Sequence, residues 1–216
     1  MLVGILGLNI YGLFVKDHID QPFVEKDIVI NSESCANLSE QETFACLTTV
    51  DEAGQANDND LLLLGQLNLY GMGTTINIPK AISLFEKSAI EGENTEAMVL
   101  LGDMLLNKDA LSAKYWYARA AQKGDLASQL KLARIYRYGE PQDLNPQGAF
   151  ELYKQASDKG SLDAKYEMAL MYGTGVGVDP NVDRSIFILE TPCDQGHQAS
   201  CELLKQIQNL KAQQNR

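Results

Sequence analysis

From residue 60 to residue 204 the chain repeats one hydrophobic pattern four times, each copy carrying two apolar stripes of helical period. The second stripe is read by counting back from a closing glycine: Gly92, Gly124, Gly160 or Gly196. Eleven positions earlier stands a small residue (Ala81, Ala113, Ala149, Ser185). Eight and seven positions earlier stand large apolar pairs: Leu84-Phe85, Trp116-Tyr117, Leu152-Tyr153 and Ile188-Leu189. Three positions earlier the residue is small again (Ala89, Ala121, Ser157, Cys193). These offsets fall on one face of a helix, with bulk in the middle and small residues where backbones cross, so antiparallel helices can nest. The closing glycine is expected to cap each helix in the left-handed conformation.

The first stripe of each copy predicts helices over residues 59–70, 95–106, 126–138 and 162–172, which carry the marker pairs Leu64-Gly65, Leu101-Gly102, Leu132-Ala133 and Met168-Ala169. From the small residue of each pair to the closing glycine the spacings are 27, 22, 27 and 27. Glycine-bearing links follow three of the first helices (Gly71-Met72-Gly73, Gly139-Glu140-Pro141 and Gly173 to Pro180), whereas the second copy passes almost directly from Leu106 to Asp109. Only a loop is shortened there, so both helices of that copy should persist. A nearly fixed period of this length predicts an all-α fold, an α/α superhelical solenoid of about four helix-turn-helix repeats with capping helices.

Several residues in register resemble the Sel1-like repeat family, relatives of the tetratricopeptide repeats: Gly175-Val176-Gly177-Val178-Asp179, Pro79-Lys80-Ala81, Tyr115-Trp116-Tyr117 with Arg119-Ala120-Ala121, and Ala164 four residues past Gly160. The resemblance implies a repeat scaffold that binds other proteins. Departures are Asn68 where the family has tyrosine, the missing second loop, and Pro192-Cys193 in place of an alanine pair. Proline in the last turn of a helix removes an amide donor and should bend or shorten it.

Around the repeats, residues 59–198, the pattern marks three flanking segments. Residues 1–15 carry no charged side chain and fit a signal-peptide core or an uncleaved anchor. Within residues 16–58, Ser39-Glu40-Gln41-Glu42 reads as a capping box opening a helix over residues 40–52 that covers the end of the array. In residues 199–216, a helix over residues 201–211 presents Leu203, Leu204, Ile207 and Leu210 as the other cap, with a frayed tail from Ala212.

The four cysteines refine this picture. Cys193 and Cys201 flank the turn into the last helix, an arrangement that resembles the cysteine-rich bacterial branch of the family, where disulfides clamp the hairpins. Cys35 and Cys46 could form a second bridge, with buried free thiols as the alternative reading for both pairs. An even count in local pairs favours an exported, periplasmic or secreted protein. With two histidines and no Cys-x-x-Cys spacing, no metal site is expected.

The formal charge of −11 over 216 residues opposes a nucleic-acid role and binding to acidic membranes, leaving the membrane only to an N-terminal anchor, and it suits a basic protein partner. No cofactor is expected. Gly173 to Gly177 lacks the strand and lysine of a phosphate-binding loop, and no histidine is framed by a nucleophile motif, so the chain reads as a non-enzyme. Its partner-binding residues are expected on the concave face of the first helices: Gln66, Asp103 and Arg134, with Gln129, Lys131, Lys165 and Glu167. Resemblance also implies two narrower readings. One is an envelope immunity protein that neutralises an antibacterial effector such as a phospholipase. The other is weak β-lactam binding or hydrolysis, against which stands the lack of the motifs that must support a Ser-x-x-Lys element.

Overall fold

The computed structural model describes residues 35–214, and these contain helices and turns with no strand. Residues 1–15, read as a signal or anchor, and the start of segment 16–58 lie outside the described residues. The helices are α1 (Glu40–Glu52), α2 (Asp58–Tyr70), α3 (Ile78–Glu91), α4 (Thr95–Leu105), α5 (Ala110–Gln122), α6 (Leu126–Tyr138), α7 (Pro146–Asp158), α8 (Leu162–Thr174), α9 (Val182–Asp194) and α10 (Gln198–Gln214), with a 3-10 turn at Pro141–Asp143. The fold is all-α and belongs to the α-solenoid class. The described residues divide into two compact units, 35–128 and 129–214. In the first, each of α1 to α5 packs on the next; in the second, α7 to α10 do the same. Sequential neighbour packing is what a repeat scaffold requires.

Short polar side chains start these helices. Ser39 and Glu42 form the expected capping box, and Asn57 with Asp60 forms a second. Each second helix opens on Asn77, Asp109, Asn145 or Asn181, whose side chain accepts from the amide three residues on. The backbone amides of the three asparagines close the preceding loops at 2.8 Å, donating to the carbonyls of Asn68, Tyr136 and Tyr172. In the second repeat Asp109 N–H turns back to Leu105 instead, at 2.7 Å, and both flanking helices are intact.

In the first two hairpins a ring closes directly onto a glycine. A β-carbon on Gly65 would lie 2.5 Å from Phe85 Cε1, and one on Gly102 would lie 2.4 Å from Tyr117 Cε1. Phe85, Tyr117 and Tyr153 are fully buried, as are Ala81, Ala113 and Ala149. Ser185 replaces that alanine in the fourth repeat, and its buried hydroxyl donates to the Ala169 carbonyl across the hairpin at 2.7 Å. Asn68, the departure in the first repeat, is buried and donates its side-chain amide to the Leu64 carbonyl at 2.8 Å.

Three expectations need correction. Gly124, Gly160 and Gly196 do adopt positive φ, but Gly92 does not (φ −92°); the following Glu93 takes that conformation, with Lys123 2.6 Å from its carboxylate. Gly92 is required for closeness instead, because a β-carbon would stand 2.0 Å from that of Asp58. Pro192 does not shorten α9, which spans 13 residues like α5 and α7; a proline near the C-terminal end of a helix disturbs few remaining bonds. Finally, α10 starts at Gln198 and runs on to Gln214, so the tail from Ala212 to Gln214 is helical.

Two loop glycines fix how a repeat sits on the helix before it. Gly73 and Gly177 have φ near +70° (68° and 73°), and a β-carbon on either would lie 2.3 Å from a backbone carbonyl, that of Glu40 or Pro146, the first residue of α1 or α7. Helix α1 thus occupies the place of a second helix, and among the described residues the array opens on half a repeat. Gly54 and Gly160 share the positive φ but face open space. Gly73→Ala and Gly177→Ala should each lose about 2 kcal/mol or more, and Gly54→Ala and Gly160→Ala about 1 kcal/mol, in urea unfolding. Equal losses in the two pairs would show that the contact contributes nothing.

Candidate functional site

Helix α6 carries Lys131, Arg134 and Arg137 and no acidic residue. Where the first two repeats place Leu61, Leu63, Met98 and Leu100, the last two place Gln129, Lys131, Lys165 and Glu167. In residues 129–214 the first-helix face has therefore exchanged apolar for polar chemistry. At its centre Arg137 is buried and pairs through Nη1 with the Glu167 carboxylate, while also donating to the Glu167 carbonyl at 3.1 Å. The Tyr138 hydroxyl donates to the same carboxylate at 3.1 Å, and the Arg137 guanidinium stands 4.7 Å from the Tyr138 ring centroid. A buried ion pair persists when further hydrogen bonds support it, as those of the Glu167 carbonyl and the Tyr138 hydroxyl do here.

Two more tyrosines surround the pair. Burial, followed by the charge of Glu167, pushes Tyr166 up to about 12 and moves Tyr153 upward more strongly. Both therefore remain neutral donors at physiological pH. The Tyr153 hydroxyl is buried and makes no hydrogen bond among the described residues. Its counterpart in the second repeat, Tyr117, donates to Asp103 at 2.6 Å.

These contacts sort the residues expected to meet a partner. Gln66 reaches Glu96 at 3.4 Å, and Asp103 is engaged by Tyr117; both belong to the unit of residues 35–128. Gln129 points inward, 3% exposed, and donates to Gln155 at 3.2 Å. Glu167 is held by Arg137 and Tyr138. Lys131, Arg134 and Lys165 are half-buried along α6 and α8. Arg137 and Tyr138 were missed by sequence reasoning. The clue was in the register: four residues past the small residue the other repeats have Leu69, Leu106 and Gly173, so an arginine there stands out.

A groove of about 280 Å³ lies in the other unit, lined by Phe44, Thr48, Asp51, Leu64, Asn68 and Lys80 among others. Asp51 holds Lys87 at 2.7 Å and Lys80 at 3.6 Å there and so fastens α1 to α3. Cys35 and Cys46 form a disulfide, as do Cys193 and Cys201, the latter joining the end of α9 to the start of α10. Two such pairs suggest an oxidising extracellular compartment. Among the described residues no helix is long and apolar enough to cross a membrane, and no group of three His, Cys, Asp or Glu side chains is placed to hold a metal ion. Trp116 is buried in the core, with the Tyr115 ring edge-on at 5.0 Å.

The Sel1 repeat profile matches residues 61–93, 95–125, 126–161 and 162–197. Comparison with curated proteins finds no match. Among solved structures, the chain is similar to c5321, a protective antigen of uropathogenic Escherichia coli with an SLR fold: TM-score 0.70, 21% identity, covering 80% of this chain and 38% of that one. It is also similar to a Sel1 repeat protein from Oxalobacter formigenes: TM-score 0.59, 24% identity, covering 73% and 65%. The immunity protein Pa5087 from Pseudomonas aeruginosa aligns at a TM-score of 0.41 and 18% identity, covering 78% and 63%. The chain spans less than two thirds of the length of each of these proteins. At these identities the first two likenesses concern the fold.

Glu167→Ala leaves the buried Arg137 guanidinium without its carboxylate, so it should lower stability by about 3 kcal/mol in denaturant unfolding. A change under about 0.5 kcal/mol would place Glu167 among ordinary surface residues.

Proposed function

The chain belongs to the Sel1 repeat family, whose repeats generally mediate protein–protein interaction, and from that premise we propose that it is an exported, non-enzymatic binding protein that docks a protein partner on the first-helix face of residues 129–214. The observation that carries this reading is the exchange of leucine and methionine for Gln129, Lys131, Lys165 and Glu167 within an otherwise regular repeat. A repeat needs apolar side chains at those positions only to pack. Organising an Arg137–Glu167 pair there spends stability on a defined polar surface.

Charge distribution supports a second element of the reading. Residues 35–128 hold 13 Asp and Glu against six Lys and Arg, whereas residues 129–216 hold 11 against ten. The acidic excess of the first segment attracts a partner of basic character at long range, and the mixed face of the second supplies its specific contacts. The paired cysteines support export to the periplasm or beyond. A narrower form, in which the partner is a secreted antibacterial effector such as a phospholipase, rests on family resemblance and is decided by the product of the neighbouring gene.

Affinity capture from the native envelope with mass spectrometry should return a stoichiometric protein. Its affinity should fall at least tenfold in the double variant Arg134→Glu, Lys165→Glu with no change in thermal unfolding. Unchanged affinity removes the proposed face. Protein purified from its native compartment should show no maleimide-reactive thiol after denaturation without reductant. Four reactive thiols would rule out residence in an oxidising space.

A further inference from the structure

We infer that the outward face of α5 docks the outward face of α9 of a second copy of this chain. The two faces are defined by one row of the repeat. In each second helix the positions thirteen, nine, six and two before the closing glycine lie along a single line of the helix. That line points away from the hairpin core, and every side chain on it is exposed in all four repeats except Ala118, which is half-buried. At its centre, nine before the glycine, the chain places Ser83, Tyr115, Glu151 and Phe187. Two of the four copies therefore present a ring to solvent where the others present a polar group.

Those two copies carry opposite chemistry around the ring. The row on α5 reads Leu111, Tyr115, Ala118 and Gln122, and the helix contains no carboxylate at all. Lys114 and Arg119 stand about 70° to either side of the row at 100° per residue, so cations border an apolar strip. Asp109, at the cap, is engaged by the Ser112 hydroxyl at 2.6 Å. The row on α9 reads Asp183, Phe187, Glu190 and Asp194, which sets the ring among three carboxylates. Arg184 lies off that row, its guanidinium 5.1 Å from the Tyr172 ring centroid. The remaining rows include carboxylates too, Glu86 on α3 and Glu151 with Asp158 on α7, so α5 is the exception in a chain of net charge −11.

Exposure marks the same two helices. Leu111 and Phe187, each 72% exposed, are the most exposed large apolar side chains among the described residues, and Tyr115 is 54% exposed. Tyr115 is also held in place, because its ring meets buried Trp116 edge-on at 5.0 Å. Leu111 and Tyr115 are four apart on α5 and frame a notch that a ring from a facing helix can fill. Burying such a ring contributes roughly 1.5 to 3 kcal/mol, and the bordering charges then fix which ring is accepted.

Charge identifies the occupant. An apolar strip bordered by cations calls for an apolar group bordered by carboxylates, and Phe187 on α9 is such a group. An anionic membrane is disfavoured by the carboxylates around Phe187 and by the net charge of the whole chain. Because each copy carries both halves of the match, the contact is heterologous: two copies make it twice and close, or make it once each and extend. It uses second helices and is independent of the first-helix face proposed above.

The test is sedimentation equilibrium of the full disulfide-bonded chain over about 1 to 300 μM, where the weight-average mass should rise with concentration. Phe187→Ser and Tyr115→Ser should each weaken association at least about tenfold, whereas Glu151→Gln, at the same register position of α7, should leave it unchanged. Lys114→Glu with Arg119→Glu should give a monomer. Glu190→Lys with Asp194→Lys should do the same, and it spares Asp183, which pairs with Lys211. An equimolar mixture of these two double variants should associate again, because each reversed face then meets a complementary one. Phe187 and Glu190 are exposed, so their replacement leaves the core intact. A mass that stays constant with concentration, association undiminished in Phe187→Ser, or a mixture that remains monomeric would each overturn the inference.

Discussion

The first two repeats depend on a ring occupying space that a side chain would otherwise fill. Phe85 over Gly65 and Tyr117 over Gly102 bring paired helices so close that a β-carbon on either glycine would overlap the ring. This contact sets the register of the hairpin, because the ring can seat in only one place along the opposing helix. Once seated, it aligns the small residues at each end, Ala81 with Ala89 and Ala113 with Ala121, as the crossing points. The same contact puts the residue after the glycine within reach of the aromatic tip, and so Asp103 finds the Tyr117 hydroxyl.

Most of this was legible in the sequence, since burial in a repeat is written several times and each copy corrects the others. The helix α1 is bounded as its capping box indicates, and α6 as its stripe does. What misled was the assignment of one cause to one residue type. Gly92 looks like its three counterparts, yet is selected by the proximity of Asp58, with the positive φ passed to Glu93. Nor does the extra length of α10 show in its apolar stripe, because its last turns are polar and have no breaker.

The polar face was only partly legible. Periodicity identifies which positions point away from the hairpin core, and on that basis Arg134, Lys165 and Glu167 could be named. It does not say whether a polar side chain is committed to its own molecule. Gln129 and Glu167 turn out to be committed, through Gln155 and Arg137, and Arg137 itself was hidden by sitting at a position expected to hold leucine. Internal comparison recovers such residues where a single copy cannot. A residue that breaks the pattern of its own repeats must be accommodated by a neighbour, as Ser185 is by Ala169, or by something outside the chain.

The half-repeat at the start of the array has a consequence for how such a protein can grow. Gly73 meets the first residue of α1 as Gly177 meets that of α7, so the leading edge of the first full repeat already rests on a standard joint. Duplication of a whole module behind α1 would recreate that joint without any adaptation of α1. Length in this scaffold is therefore an adjustable quantity, open to gene duplication and to deliberate engineering alike, while α1 keeps its joint.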